Sequence, residues 1–144
     1  MLYIKSDVLH DLKTQILADE KERGFVLGCT SSFDCIDRVV VIPAKESGPY
    51  FYMPDSNYAN SIIRNWAEND TCFSGFIHSH TKSNRSFSQN DLEFAEQLLS
   101  RFQVPFLWFG LAVVDENSVE ILIYKVCQRR HDTAFEQMPY EALG

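Results

Sequence analysis

Between residues 7 and 17 the apolar side chains Leu9, Leu12, Ile16 and Leu17 fall three and four apart, the spacing that gathers them on one stripe of a helix. Asp7 in front of them predicts an N-cap, and Arg23-Gly24 predicts the stop. The period then changes. Residues 25–29 and 38–42 are short β-branched and apolar runs on either side of a Ser/Asp loop, a predicted strand pair. Pro54-Asp55 opens a second helix with Tyr58, Ile62, Ile63 and Trp66 as its apolar face, closed by Glu68-Asn69-Asp70. Residues 72–77 read as a strand, and the polar stretch 81–87, without apolar periodicity, as an exposed loop. Ser88 begins a third helix buried through Leu92, Phe94, Ala95, Leu98, Leu99 and Phe102. After Pro105, two β-rich runs, 106–114 and 119–126, are joined by Asp115-Glu116-Asn117-Ser118, a hairpin signal.

This order predicts an α/β (α+β) single domain, a central mixed β-sheet flanked by about three helices. The domain is expected over residues 1–127, with 128–144 as a polar C-terminal tail that is part of it or packed on it. At 144 residues, 45% hydrophobic and 13% aromatic, the chain can bury a core of its own, which excludes disorder as the main state. A net charge of −7 without a basic face disfavours nucleic acid and anionic membrane as partners. The longest apolar run, 104–114, contains Pro105 and Gly110 and falls short of the ~20 residues of a membrane-spanning helix. Residues 1–7 lack the charged-then-apolar block of a secretory signal. Cys29, Cys35, Cys72 and Cys127 form no C-x-x-C pair. The expectation is a cytoplasmic protein, monomer or homodimer, whose thiols are reduced and mostly buried.

Chemistry concentrates in fourteen positions, from His78-Ser79-His80 to Ser88-Gln89-Asn90-Asp91. Side chains at i and i+2 of a strand share a face, so both imidazoles can reach one ion. Asp91 belongs to the first turn of the third helix, and the intervening loop is long enough to bring that turn back over the strand end. Two nitrogens and an oxygen suit zinc with a fourth position open to water. Glu22, where the first helix gives way to a strand, is the leading candidate for the base such a water needs. Each piece has a plainer explanation. Ser88-x-x-Asp91 ahead of an apolar run is also an N-capping pattern, and an isolated H-x-H is commonly a hydrogen-bonded histidine pair. Their joint occurrence favours a metal site. His10 and His131 read as surface residues, Trp66 and Trp108 as core, and no cysteine sits where a lowered pKa would make it a nucleophile.

Together these residues resemble the signature of the JAMM, or MPN-plus, zinc metalloproteases: a distant glutamate, H-x-H, a loop of this length, and S-x-x-D. Here the match is Glu22, His78-Ser79-His80 and Ser88-Gln89-Asn90-Asp91, with Phe73-Ser74-Gly75-Phe76-Ile77 as the strand leading in. The resemblance implies the MPN/JAB, cytidine deaminase-like, fold. It implies zinc on His78, His80 and Asp91, Glu22 as general base, and Ser88 as donor to the developing oxyanion. It further implies hydrolysis of a peptide or isopeptide bond in a protein or peptide substrate, such as one after the C-terminal glycine of a ubiquitin-like or sulfur-carrier-like protein. The alternative is a non-catalytic MPN-type module that binds a partner protein in the same groove. The sequence departs from the pattern in Thr81, where the family has proline, and in the glutamate register, which leaves Glu20 as the rival of Glu22. Its length points to a compact prokaryotic-type member. A zinc deaminase is a poorer comparison, because the H-x-E and P-C-x-x-C pair is missing.

Overall fold

Buried and exposed side chains alternate from the start of the chain, with Leu2 and Ile4 buried and Lys5 exposed, the period-two signature of a strand. That strand, β1 (Leu2–Lys5), is the first element of the computed structural model, which describes residues 1–18, 23–47, 52–80, 86–130 and 132–144. Helix α1 (Ser6–Leu17) follows directly and buries Val8, Leu9, Leu12 and Ile16. Strands β2 (Gly24–Cys29), β3 (Cys35–Ile36) and β4 (Arg38–Ile42) and the short pair β5 (Ala44–Ser47) and β6 (Tyr52–Pro54) lead to α2 (Ser56–Glu68). Then come β7 (Cys72–His80), α3 (Gln89–Phe102), and the hairpin of β8 (Phe106–Asp115) and β9 (Ser118–Gln128). Two further strands, β10 (Thr133–Met138) and β11 (Tyr140–Leu143), close the order.

Six strands form the main sheet in the order β10-β9-β8-β7-β2-β4. β7 runs parallel to β8 and every other pairing is antiparallel, so the sheet is mixed, as the element order predicts. A second sheet, β11-β1-β3, is wholly parallel. Both faces of the main sheet are covered. On one, α1 and β1 pack Leu12, Ile16, Leu2 and Ile4 against Phe25, Leu27, Ile77 and Trp108. On the other, Trp66 of α2 and Ala95 and Leu99 of α3 pack against Val26, Phe76, Leu107 and Phe109. A central strand with both faces covered has no polar side to show, and β7 is accordingly buried from Ser74 to His80. Ile77 and Phe76 fall on opposite faces, so strand alternation puts His78 and His80 with Phe76, on the side of α3.

Two contacts fix how β7 lies. A Cβ at Gly75 would stand 1.8 Å from the Trp108 carbonyl oxygen, an approach to β8 that only glycine permits. On the α3 side, Phe94 packs edge-on to Phe76 with ring centroids 4.8 Å apart. Phe94 lies one turn after Asp91, and Phe76 lies two residues before His78.

The structure corrects several expectations. Asp7 is not the cap of α1: Lys5 takes that position without a side-chain bond, and the Asp7 carboxylate accepts from the Val8 amide instead. The helix stops at Leu17, which is 46% exposed, and Gly24 already belongs to β2. Tyr58 lies outside the apolar face of α2, whose buried residues are Ala59 and Trp66. β7 runs on past Ile77 to His80. Cys29 is the one fully buried cysteine: Cys35 and Cys127 are half-buried, Cys72 is exposed, and all four are free thiols.

Candidate metal centre

The side chains that the sequence offers as candidate metal ligands meet at the end of β7. His78 and His80 project from one face with their rings edge-to-face, centroids 4.7 Å apart. Asp91 comes down from the first turn of α3. Its Oδ1 lies 2.7 Å from His78 Nδ1 and its Oδ2 3.0 Å from His80 Nε2. One donor atom from each residue lies within 4.8 Å of the others, and all three residues are buried. The helix accounts for the position of the acid. Asp91, Ala95 and Leu99 are the buried residues of α3, four apart, so the carboxylate occupies the first place of the stripe that docks the helix on the sheet.

Ser88 and Asp91 form the capping box suspected from their spacing. The Asp91 amide donates to Ser88 Oγ at 3.1 Å and the Ser88 amide donates to Asp91 Oδ2 at 2.8 Å. Capping and convergence on the histidines therefore coexist, because one carboxylate has lone pairs for both. Burial raises the cost of charge on Asp91, but hydrogen bonds from His78 and His80, the His78 charge and the Ser88 amide outweigh it and hold the acid well below the usual carboxylate range. The site thus contains a buried anion faced by two imidazoles and the positive end of a helix.

This donor set fits a divalent cation. Two imidazoles and a carboxylate are donor types that zinc takes, and the Asp91 contacts of 2.7 and 3.0 Å bring them within reach of one ion. His80 Nδ1 is buried and has no hydrogen-bond partner among the described residues, so the cluster holds more donor capacity than the surrounding protein uses. The walls are apolar: the Cα partner of His78 is Leu111 and that of His80 is Val113, and both leucine and valine are buried together with Leu122. Such surroundings keep competing water away from polar contacts and strengthen them.

Glu22 and its rival Glu20 lie outside the described residues, as do Thr81 and His131. The neighbouring backbone is described: Gly24 is the Cα partner of His78. Ser79, to which the sequence assigned no role, bonds to Arg23 through both its amide and its hydroxyl. His10 is exposed, Trp66 and Trp108 are core residues, and burial pushes the Cys29 thiol up to about 11, away from nucleophilic use. No described helix is long and apolar enough to cross a membrane.

The family model for prokaryotic homologues of the JAB domain matches residues 8–138. The chain belongs to this JAB family. Among solved structures, the JAB domain described here is similar to protein DSY2949 from Desulfitobacterium hafniense, with a TM-score of 0.71 and 13% identity over 99% of this chain and 94% of that one. At that identity the likeness speaks for the fold. No curated protein matches the sequence. The JAB family includes metalloproteases, and in this member the His78, His80 and Asp91 side chains stand close enough to hold a metal ion.

Proposed function

We propose that this JAB domain is a zinc-dependent peptidase or isopeptidase acting on a protein or peptide, with the bond after the C-terminal glycine of a ubiquitin-like or sulfur-carrier-like protein as its first substrate class. The observation that carries the reading is the buried convergence of His78, His80 and Asp91 on one small volume. His78, His80 and Asp91 would hold the zinc. Zinc bound there would supply Lewis acidity toward a carbonyl and lower the pKa of water toward ~7.

The remaining work falls to the chain's own groups. Ser88 Oγ accepts from the Asp91 amide, which uses a lone pair and leaves its O–H proton to donate to a developing oxyanion. A carboxylate must take the proton of the attacking water and return it to the departing amine. Glu22 is assigned that part. It is two residues from Gly24, within ~7 Å of extended backbone, and Gly24 is paired with His78. Glu20, four residues from Gly24, is within ~14 Å of extended backbone. Leu111 and Val113 beside the histidines exclude bulk solvent from the reacting groups.

The test combines metal analysis with mass spectrometry of ubiquitin-like fusion proteins. Purified protein is expected to carry about one zinc per chain, to cleave at the C-terminal glycine, and to lose cleavage on chelation. His80→Ala should lose zinc. Glu22→Gln should keep zinc and lose turnover, and the opposite assignment of the base would show as a dead Glu20→Gln. A stable complex without cleavage, at full zinc loading, would replace the hydrolase with a non-catalytic module for a partner protein.

A further inference from the structure

Between the two histidines, Ser79 faces away from them, toward α1, and is 2% exposed. Its amide donates to the Arg23 carbonyl at 2.7 Å, and its hydroxyl oxygen accepts from the Arg23 amide at 2.7 Å and stands 3.3 Å from the Arg23 carbonyl. Both backbone polar groups of Arg23 are therefore held by one serine. The regular ladder between β2 and β7 ends at Gly24↔His78, so Arg23 is already beyond the paired strand. The hydroxyl supplies the bond to the Arg23 amide that a ladder would otherwise provide. The half-buried Arg23 amide would lose this partner without the hydroxyl, at a cost in order.

We propose that Ser79 is a positioning residue for the reaction. It clamps the Arg23 peptide to the strand that bears His78 and His80, and so fixes the backbone to which Glu22 is directly attached. The inference rests on the proposed function, which makes Glu22 the base. Its physical content is a division of labour across one strand: the odd-numbered side chain holds the segment of the base while its two even-numbered neighbours converge on Asp91. Placement matters at this scale, because a misplacement of about 1 Å in a reacting group can cost ~100-fold in rate.

Three measurements test the clamp on the full chain: amide hydrogen exchange at Arg23, zinc content, and steady-state kinetics on a ubiquitin-like fusion. Ser79→Ala removes the hydroxyl alone. It should speed exchange of the Arg23 amide by roughly 10-fold or more, leave about one zinc per chain, and lower kcat by ~10- to 100-fold with KM within about 3-fold. Ser79→Thr restores a hydroxyl at the same position and should recover both slow exchange and most of kcat. A Ser79→Ala protein with wild-type kcat, or with slow Arg23 exchange, overturns the proposal. So does a loss of kcat that merely follows loss of zinc. If the wild-type chain hydrolyses nothing, the proposed function falls and takes the catalytic consequence with it. The exchange measurement tells that outcome apart from failure of the clamp.

Discussion

At the scale of single residues, Asp91 acts twice, and the proposed function asks a second role of Ser88 beside its cap. Asp91 Oδ2 accepts from the Ser88 amide while facing His80 Nε2. Ser88 Oγ caps Asp91 and keeps its proton for another acceptor. The cap and the proposed oxyanion role of Ser88 can be separated, since loss of a serine N-cap to alanine costs about 1 kcal/mol whereas glycine costs only a few tenths. Removing one oxyanion donor costs ~100- to 1,000-fold in kcat whichever residue replaces it. Ser88→Ala and Ser88→Gly should therefore differ in denaturant midpoint but share the same large loss of turnover. Activity that instead follows stability, with Ser88→Gly close to wild type, would reduce Ser88 to a cap. These residues were legible in the sequence because H-x-H and S-x-x-D each obey a local rule, the strand period and the first helical turn. The proposed base was less so. Glu22 and Glu20 precede β2 by a few residues, and which of them matters depends on where the helix stops, which no single side chain marks.

Elements show the same division between local and non-local causes. The three helices could be read because each carries an apolar stripe, and Asp55 and Ser88 cap the second and third through their side chains. α1 departs from its expected start because its N-cap, Lys5, is the last residue of β1, so strand pairing rather than a cap sets the boundary. The apolar pattern of β7 ends at Ile77 because its last three residues are polar, although it is their burial between β2 and β8 that makes the site. β1, β3 and β11 are two to four residues long and are held by parallel partners distant in sequence, for which a local pattern gives little sign. The approach of β7 to β8 is the element contact most open to test. A methyl at Gly75 would meet the Trp108 carbonyl oxygen at 1.8 Å, whereas one at Gly28 would meet the Trp66 ring edge at 2.8 Å. Backbone in a sheet cannot yield as a side chain can, so Gly75→Ala should fall at or beyond the upper end of the ~1–3 kcal/mol cost of overpacking, and Gly28→Ala well below it. Gly75→Ala should also weaken zinc binding, since it shifts the strand that carries both histidines. Equal losses for the two variants in chemical unfolding would contradict this account.

For the molecule as a whole, the question is where the domain ends. The polar composition of residues 128–144 gave no pattern to assign, yet the structure puts them into two sheets. β10 lies along β9 from Thr133↔Gln128 to Met138↔Ile123 and forms the rim of the main sheet. β11 runs beside β1 from Leu2↔Tyr140 to Lys5↔Leu143. The last strand of the chain is thus bonded to the first, and α1 leads directly out of that junction. A second connection reaches the candidate metal centre. Phe135 of β10 packs on Phe87, centroids 5.5 Å apart, and Phe87 also packs edge-on to Tyr124 at 4.9 Å. Phe87 immediately precedes Ser88, so the aromatic cluster holds the approach to the capping box from outside. We therefore expect a chain ending at Gln128 to lose far more than a tail. It would uncover the edge of β9, a template for pairing with other chains, and strip Phe135 from Phe87 next to the first turn of α3, leaving Phe87 on Tyr124 and Phe109. The thermal midpoint should drop by more than ~10 °C, given about 2–4 °C per kcal/mol for a protein of this size, with aggregation on heating and weaker zinc retention. Phe135→Ala in the full chain isolates the second connection: it keeps both strands, and should lower zinc affinity with a smaller loss of stability than the truncation. A truncated chain that melts with the wild type and holds zinc equally well would make residues 129–144 an appendage and end the domain at β9.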